Sequence, residues 1–594
     1  MNYLETTLWQ VPRFESLVAP LRRVPPRAPV APGFGRAGAA KVRLPFIRHA
    51  PLAGWGPFLQ FGSRTAEEED AARLLHARAL VLESPLGDRV ALVTIDLHGG
   101  SRYITEQAAA LLADEGFHPA NLFLCGTHNH AGPGGLYASP YFDGFAASTG
   151  IFSGFTLRVG FNQTLADVLA ARVEKAVREA IKGLRAARLG SSHDVRLKRW
   201  SRQRSGPAVL ANFPGHTIGE VVERFRDIGG GDHKVEGIER WALDARLQTI
   251  AAFSTGSRLI GSFTTWGAHC AMMSREHQVQ SADYFGQAAS LAEEKHPGAV
   301  VAVAAGAIGD ADPLPPNLNF KELLEQRSRR DANFELIDQQ ARGLAGGLLE
   351  AITAASKHQS NLMSLSSRLL EDRISEAEVG GVLLPRLPRV GIPTLAGSEL
   401  GTGDIWVGVM VHLNEGVCAG EPDDGPHWAK TESNWTDKTS CLPERTVGHY
   451  AGMLAFRVSR PFLDAQQGML PVRYLELQLD DRKLSVIGLP GEPTTWLAAQ
   501  LAELAPTGAR TLVAGVTGEY AGYLTTELEY GLQHYEGGST IWGRYTERWL
   551  SSKIKALVSG KGSERSVEPP PFKVLREGWI TRMQSDDYGE MTWR

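Results

Sequence analysis

Apolar runs of strand-like length alternate with amphipathic stretches along much of the chain, and the apolar runs end in polar residues. Residues 89–98 (RVALVTIDLH) are apolar and β-branched, as strands are, and they end in Asp96 and His98. Residues 101–113 begin with a serine that can cap a helix, and a short apolar strand follows at residues 122–124. This order predicts a β-α-β unit with polar residues gathered where its strands end.

Two further stretches of the chain repeat this pattern of strand, helix and strand. Their elements are expected at residues 259–268, 281–295 and 300–305, and at residues 484–489, 493–504 and 511–516. Strands that alternate with helices favour an α/β fold. We therefore predict an α/β protein with a mixed sheet, flanking helices and functional side chains at the strand ends.

The remaining segments suggest one large domain with less regular ends. Residues 161–187 carry apolar residues at spacings of three and four, which predicts a helix that faces the core. The expected organisation is a Pro/Arg-rich leader over residues 1–40, a folded domain over residues 41–553 that includes a Gly/Pro-rich elaborated region at 365–445, and a polar tail over residues 554–594. A tail of that length is too short for an additional immunoglobulin-like domain.

Composition excludes several functional classes. The 594 residues include 62 basic and 66 acidic ones, and the net charge of -4 gives no electrostatic case for binding nucleic acid. Four cysteines are too few for a disulfide framework; Cys418 and Cys441 are close enough to pair, but we expect free thiols. The sequence lacks both a secretory signal pattern and an apolar run of about 18 residues, so we expect no transmembrane segment. It does not predict a location, and the cytoplasm is the default only. It does not predict an oligomeric state.

The stretch Asn121–Gly135 (NLFLCGTHNHAGPGG) carries the most informative chemistry. If the backbone stays extended after the strand, His128 and His130 point to the same face. The Gly/Pro-rich turn that follows lets the backbone approach a ligand closely. Taken alone, this stretch fits a metal or catalytic site and also a pair of structural histidines.

Several motifs, in the same order along the chain, resemble those of the neutral/alkaline non-lysosomal ceramidases. THNHAGPGG resembles THTHSGPGG, and His269 matches the histidine of FxxHGTSM. PGEPTTW, EYAGYLTT and QHYEGGSTIWG resemble PGEFTTM, VYTHYITT and QRYEAASTIYG. The resemblance extends over most of the chain and implies the catalytic domain of a zinc-dependent amidohydrolase. It also implies an amide substrate, an N-acyl sphingoid base or another ceramide-like lipid.

The resemblance also implies roles for particular residues. The implied zinc ligands are His128, His269, Glu492 and Tyr523, and two histidines with two oxygen donors suit zinc. The implied catalytic residues are His130, Arg204 and Tyr535, with Arg204 and Tyr535 near the substrate carbonyl. The Arg204 motif matches only in part, because Gln203 replaces an asparagine and a glycine precedes the proline. From its residues alone, Arg204 could also be a solvated charge.

The sequence departs from the family pattern at GDADP, where the family has G-D-x-S-P with a nucleophilic serine. Asp312 occupies the serine position, and Asp310 keeps the preceding acid. Either zinc-activated water attacks the amide carbonyl with Asp312 as an auxiliary base, or the substrate differs, or the chain is a non-catalytic homologue that keeps zinc. A carbohydrate- or cell-envelope-binding protein is a further alternative, which the 13 tryptophans suggest faintly.

Overall fold

The computed structural model describes residues 34–54, 65–137, 163–227, 242–385, 468–532 and 534–562, and the backbone of three short strands beyond residue 562. Most of the predicted leader and of the elaborated region, and both Cys418 and Cys441, lie outside these residues. The other two cysteines, Cys125 and Cys270, are buried free thiols. No helix in the part of the chain that the structure describes is long and apolar enough to cross a membrane.

Thirteen strands of the described residues form one mixed sheet. They are β1 (Gly35–Arg43), β2 (His76–Glu83), β3 (Arg89–Ile95), β4 (Leu122–Gly126), β5 (Arg185–Ser192), β6 (Gln248–Ser254), β7 (Leu259–Trp266), β8 (Val300–Ala305), β9 (Ser360–Arg373), β10 (Met469–Leu479), β11 (Lys483–Gly488), β12 (Arg510–Ala514) and β13 (Glu564–Arg565). Their order is β12-β11-β10-β9-β5-β1-β2-β3-β4. A branch runs from β5 through β6 and β7 to β8, and β13 pairs with β9.

Shorter strands and helices complete the architecture. The shorter strands are Ile47–Arg48, Glu68–Glu69, Ser201–Gln203, Val279–Gln280, Ala311–Pro313, Glu378–Val379, Val382–Leu383, Glu492–Pro493, Tyr523–Leu524, Ile580–Met583 and Met591–Trp593. The α-helices of the described residues are α1 (Arg102–Leu111), α2 (Gln163–Lys182), α3 (Gly206–Ala211), α4 (Ile218–Asp227), α5 (Asp283–Lys295), α6 (Phe320–Arg327), α7 (Arg330–Ser356), α8 (Thr495–Ala502), α9 (Glu527–Leu532), α10 (Tyr535–Ser539) and α11 (Thr546–Val558), and a 3-10 turn spans Ala113–Glu115.

The three predicted β-α-β units are confirmed. In each unit the two strands pair in parallel, with a helix between them: β3-α1-β4, β7-α5-β8 and β11-α8-β12. Ser101 caps α1 as predicted, because its side chain accepts a hydrogen bond from the backbone N–H of Ile104. The carboxyl ends of parallel strands meet at one edge of a sheet, so each unit delivers its strand-end residues to the same side.

The segment that follows β12 joins the ends of the three units. The backbone N–H of Gly126, at the end of β4, donates to the carbonyl of Val516 at 3.3 Å. Val516 in turn donates to the carbonyl of Gly491 at 2.8 Å, and Gly515 donates to that of Ala305, at the end of β8, at 2.9 Å. Hydrogen bonds between loops that are distant in sequence therefore hold the three groups of strand ends together.

Regular structure begins and ends at positions that differ from the prediction. Strand β1 starts at Gly35, before the predicted start at residue 41, and lies between β2 and β5 within the sheet. Its Gly/Ala-rich sequence lacks the alternation that predicts a strand. At the other end, α11 continues to Val558 beyond residue 553, and Met591–Trp593 pairs with Ile47–Arg48.

Close packing of α2 on β1 explains the glycine at residue 38. A Cβ on Gly38 would lie 2.0 Å from the backbone carbonyl oxygen of Ala180 in α2. The apolar stripe of α2 faces the core as predicted, and Leu169 and Val173 are among its fully buried members. Glycine at residue 38 lets the helix approach the sheet, and backbone atoms on both sides leave no room to relax.

Gly38→Ala is therefore expected to lower the free energy of unfolding by about 2 kcal/mol or more, because overpacking forces the helix away from the sheet. Urea denaturation followed by circular dichroism measures the change. The matched control is Gly346→Ala in α7, where a Cβ meets nothing within 4 Å. That variant is expected to be neutral or stabilised by up to about 1 kcal/mol. Equal stabilities of the two variants would contradict the packing argument.

Candidate metal centre and active site

Side chains from seven positions after the parallel strands converge on one buried region. They are His98 after β3, His128 and His130 after β4, His269 after β7, Asp312 after β8, Glu492 after β11 and Tyr523 after β12. Arg204 reaches the same region from the bend after the strand Ser201–Gln203, and Tyr535 reaches it from α10. The structure thus brings together all eight side chains that the sequence proposed for the site, and it adds His98.

The backbone at the His-x-His motif is not extended, so this part of the prediction is wrong. His128 adopts a left-handed conformation with φ of 61°. The two rings are nevertheless neighbours, with centroids 4.7 Å apart. Asn129 fixes this turn, because its side-chain amide donates to the carbonyl oxygens of Asp96 at 3.0 Å and Ser281 at 2.7 Å.

Four donor atoms lie at distances that suit a tetrahedral metal site. Oε2 of Glu492 lies 3.0 Å from Nε2 of His269 and 3.4 Å from Nε2 of His128. The hydroxyl oxygen of Tyr523 lies 3.2 Å from Nε2 of His269. Ligand atoms about 2.0–2.2 Å from a tetrahedral ion are separated by about 3.3–3.6 Å. Three of the six separations among these atoms are therefore near those of a tetrahedral coordination sphere.

The hydrogen bonds around these four donor residues also fit a metal site. Nε2 of His128 and Oε2 of Glu492 are buried and have no hydrogen-bond partner within the described residues. Nδ1 of His128 and Nδ1 of His269 lie 2.9 Å and 3.2 Å from the carbonyl oxygens of His98 and Ala311. A carbonyl bound to Nδ1–H leaves Nε2 with a lone pair, as metal-ligating histidines require. The set could therefore hold a divalent ion.

Glu492 is held as a carboxylate. Burial alone would raise the pKa of this carboxyl group, but the interactions with His128 and His269 outweigh burial and hold the pKa well below its usual range. The hydroxyl of Tyr520 donates to Oε1 of Glu492 at 2.6 Å. Because Oε1 is engaged in this way, Oε2 is the oxygen that faces the two histidines.

Arg204 is buried in the site, with 4% of its side chain exposed, so the alternative of a solvated charge is wrong. Its Nε donates to Glu536 at 2.7 Å, and Nη1 donates to Oδ1 of Asp312 at 3.1 Å. Nη2 donates to the carbonyl of Gly309 at 2.5 Å and to the hydroxyl of Tyr523 at 3.0 Å. Burial opposes the charge, but Tyr523, Asp312 and Glu536 outweigh it and raise the pKa of Arg204 well above its usual value.

Asp312 is fully buried beside Arg204, which binds one of its two carboxylate oxygens. Its backbone pairs with Arg202, which places the strand Ala311–Pro313 against Ser201–Gln203. Oδ1 accepts from Arg204, while Oδ2 has no hydrogen-bond partner within the described residues. Such an oxygen is available to a water molecule or to a substrate N–H group.

Asp310 supports the site through hydrogen bonds and is two residues before Asp312. Its carboxylate accepts hydrogen bonds from the backbone and side chain of Thr495, both at 2.8 Å, and from Gln203 at 2.7 Å. Its backbone carbonyl accepts from the N–H of Arg204 at 3.0 Å. Burial raises the pKa of Asp310 to about 6. Asp310 thus links its own loop to the strand Ser201–Gln203 and to the start of α8, and it supports the arginine.

The ring of Tyr535 lies beside that of Tyr523, with ring centroids 5.3 Å apart. The guanidinium carbon of Arg204 lies 5.1 Å from the Tyr535 ring centroid. Burial raises the pKa of the Tyr535 phenol to about 12, although the neighbouring Arg204 opposes the shift. The phenol therefore keeps its proton at neutral pH and can donate a hydrogen bond.

The sequence did not assign roles to three residues that the structure places in the site. Glu536 and Tyr520 occur inside the motifs that the sequence singled out, but their partners are known only from the fold. His98 was recognised only as a strand-end residue, and its ring lies 4.4 Å from that of His128. A polar residue directly after each parallel strand was the one available signal for His98.

A comparison with models of protein families gives one match, which is described as "Neutral/alkaline non-lysosomal ceramidase, N-terminal". It matches residues 65–319 and 483–551, which together are more than half of the chain. The chain belongs to the neutral/alkaline non-lysosomal ceramidase family. Every residue of the site described above, His98 included, lies inside the matched ranges.

Curated members of the ceramidase family include two bacterial relatives of this chain. The neutral ceramidase of Mycobacterium tuberculosis is 31% identical over 129 residues, which are 20% of this chain and 19% of that protein. That match therefore spans about a fifth of the relative's length. The neutral ceramidase of Pseudomonas aeruginosa is 24% identical over 535 residues, covering 86% of this chain and 71% of that protein.

Solved ceramidase structures share the fold. The structure "Ceramidase complexed with C2" superimposes with a TM-score of 0.66 at 19% identity and covers 93% of this chain and 80% of that chain. The predicted α/β fold with a mixed sheet and flanking helices is confirmed by this likeness and by the sheet described above.

Proposed function

We propose that this chain is a zinc-dependent hydrolase that cleaves the amide bond of a ceramide-like N-acyl lipid. The observation that carries the proposal is the buried donor set of His128, His269, Glu492 and Tyr523, whose distances suit a tetrahedral ion. Membership of the ceramidase family supports an amide as the bond that is cleaved. The names of the relatives, neutral ceramidases, support a sphingolipid as the substrate.

Two nitrogen and two oxygen donors are a mixed set that suits zinc. When bound, zinc supplies a Lewis acid that polarises the amide carbonyl and lowers the pKa of a water molecule. Tyr523 is the weakest of the four ligands as a neutral phenol, and burial raises its pKa well above the usual value. The hydrogen bond from Arg204 at 3.0 Å opposes that effect and favours the phenolate that a cation prefers.

Arg204 and Tyr535 are placed to stabilise the oxyanion that forms when the amide carbonyl is attacked. Arg204 makes four of the five hydrogen bonds that a guanidinium can donate to partners within the described residues. The second N–H of Nη1 is therefore available for the substrate oxygen. Tyr535 supplies a second donor, because its phenol stays protonated at neutral pH.

Asp312 acts as a base in this proposal and forms no covalent bond to the substrate. Attack by its carboxylate on an unactivated amide would give an anhydride, which is a high-energy intermediate. Oδ2 can instead accept a proton as water adds to the carbonyl carbon, and the proton then passes to the amine nitrogen as the C–N bond breaks. Arg204 holds the carboxylate through Oδ1, so Oδ2 keeps a fixed direction.

His130 is the second group proposed for proton transfer. Burial, and after it the neighbouring His128, lowers the pKa of His130 well below its usual value, so the imidazole is neutral at physiological pH. A neutral imidazole can accept one proton and donate another within the same turnover. Its ring centroid lies 5.9 Å from that of His269 and 4.7 Å from that of His128, so it lies beside the two histidines of the donor set.

The proposed function is tested with the purified protein and a panel of ceramides and short N-acyl amines, with and without a chelator. Hydrolysis that a chelator abolishes and added zinc restores is the expected result. A single turnover in ¹⁸O-water should place label in the released fatty acid and none in Asp312. Label in Asp312 would show covalent carboxylate catalysis and contradict the proposed role of this residue.

A non-catalytic family member that keeps the metal is the second candidate. The observation that favours it is the ion pair between Arg204 and Asp312, because a carboxylate here occupies one N–H of the arginine proposed to bind the substrate oxygen. Glu536 neutralises the guanidinium further. No turnover of any amide in the panel, with zinc fully loaded, would favour this candidate.

A further inference from the structure

Three histidines form a second buried cluster beside the donor set of the proposed function. The ring centroids of His98 and His128 are 4.4 Å apart, those of His128 and His130 are 4.7 Å apart, and those of His98 and His130 are 5.4 Å apart. One nitrogen from each ring lies within 4.8 Å of the others. Their relative exposures of 3%, 0% and 6% leave this cluster almost without contact with solvent.

The hydrogen bonds of two of these rings orient a nitrogen toward the cluster. Nδ1 of His98 lies 3.2 Å from the hydroxyl oxygen of Tyr137, and Nδ1 of His128 lies 2.9 Å from the carbonyl oxygen of His98. A carbonyl oxygen can only accept, so His128 has its lone pair on Nε2. A tyrosine hydroxyl can donate or accept, and His98 offers Nε2 in the tautomer that carries its proton on Nδ1. Metal-ligating histidines characteristically donate their other N–H to an oxygen in this way.

Close packing fixes the positions of the other ring and of the tyrosine. A Cβ on Gly54 would lie 2.4 Å from the ring of His130, and a Cβ on Gly99 would lie 2.4 Å from the hydroxyl of Tyr137. Glycine at these positions therefore lets the backbone approach His130 and Tyr137 closely. Rings that are held by packing and hydrogen bonds are preorganised for a ligand, as metal sites require.

We propose that His98, His128 and His130 form a second donor set for a transition-metal ion, with His128 common to both sets. The only nitrogen that His128 can offer is Nε2, because Nδ1 is bound to a carbonyl. One nitrogen binds one ion, so the two sets are alternative positions for a single ion. Three imidazoles suit zinc, cobalt, nickel and copper ions, and they lack the carboxylate that magnesium and calcium prefer.

The test is a titration with Co²⁺, whose visible absorption reports its ligands, in the wild type and in Glu492→Ala. The Glu492→Ala variant loses a ligand of the first set only. It is expected to bind about one Co²⁺ per chain with a changed spectrum. Glu492→Ala/His98→Ala is then expected to bind Co²⁺ at least about tenfold more weakly than Glu492→Ala. This readout does not depend on amide hydrolysis, so its failure is distinguishable from failure of the proposed function.

The matched control is Glu492→Ala/His216→Ala, which removes an exposed imidazole outside the cluster. It should bind Co²⁺ as Glu492→Ala does. If Glu492→Ala proves unfolded by circular dichroism, His269→Ala supplies the same background, because it also removes a ligand of the first set only. Folded single variants that bind no Co²⁺, or equal binding with and without His98, would overturn the proposal.

Discussion

His128→Ala is expected to abolish metal binding and amide hydrolysis together. Nε2 of His128 is a ligand atom in the set with His269 and Glu492, and it is also the atom shared with His98 and His130. Removing it leaves both sets incomplete, so no alternative position can hold the ion. Metal analysis of the purified variant should fall from about one ion per chain to near zero, and chelator-sensitive hydrolysis should disappear with it.

The fold is expected to survive this substitution. The large hydrophobic clusters of the sheet and its helices do not include the imidazole of His128. The control is His277→Ala, which removes another buried imidazole, one that lies 3.2 Å from the carbonyl oxygen of Arg327 and outside both donor sets. It should keep its metal. Full metal content in a folded His128→Ala variant would show that the ion binds elsewhere.

Tyr535→Phe and Arg204→Ala are each expected to lower kcat by roughly 10² or more while the metal stays bound, as the loss of an oxyanion donor does. That loss corresponds to about 2.7 kcal/mol of transition-state stabilisation. Steady-state kinetics on the best amide of the panel, with metal content measured on the same samples, gives the comparison. An unchanged kcat in Tyr535→Phe would remove the tyrosine from this role.

The two substitutions differ in their cost to the fold. Tyr535→Phe removes one hydroxyl, whereas Arg204→Ala leaves Asp312 and Glu536 as buried carboxylates without their cation, which typically costs about 3–5 kcal/mol of stability. Arg204→Lys keeps the charge but cannot reproduce four directed hydrogen bonds. We expect its kcat to lie between those of the wild type and Arg204→Ala. Activity of Arg204→Lys equal to wild type would mean that charge alone is needed.

The three β-α-β units could be predicted from the sequence because their signal is local. Strands of apolar and β-branched residues, separated by capped helices, are visible in windows of about 11–18 residues. Strand β1 was missed by that reasoning, since its Gly38 is explained by contact with α2, which lies far along the chain. A local sequence pattern holds no information about packing partners that are distant in sequence.

The features of the site likewise fall into those that the sequence predicted and those that only the fold shows. His128, His269, Glu492 and Tyr523 could be named because their motifs resemble those of a known family, and the strand-end rule predicted that they would meet. The left-handed backbone of His128, the burial of Arg204 and the bond from Tyr520 to Glu492 could not be predicted. Each depends on hydrogen bonds between segments that only the completed fold brings together.

The way in which the three units join has a consequence for folding. The donor atoms come from residues 128, 269, 492 and 523, and the hydrogen bonds of Val516 and Gly515 that align them link segments hundreds of residues apart. Contacts of such large sequence separation form late and slowly, because the entropy of closing long loops opposes them. A metal ion can therefore do little to nucleate this chain. Capture of an ion by the proposed donor set would come at the end of folding, because a partly folded chain would not hold the four donors together.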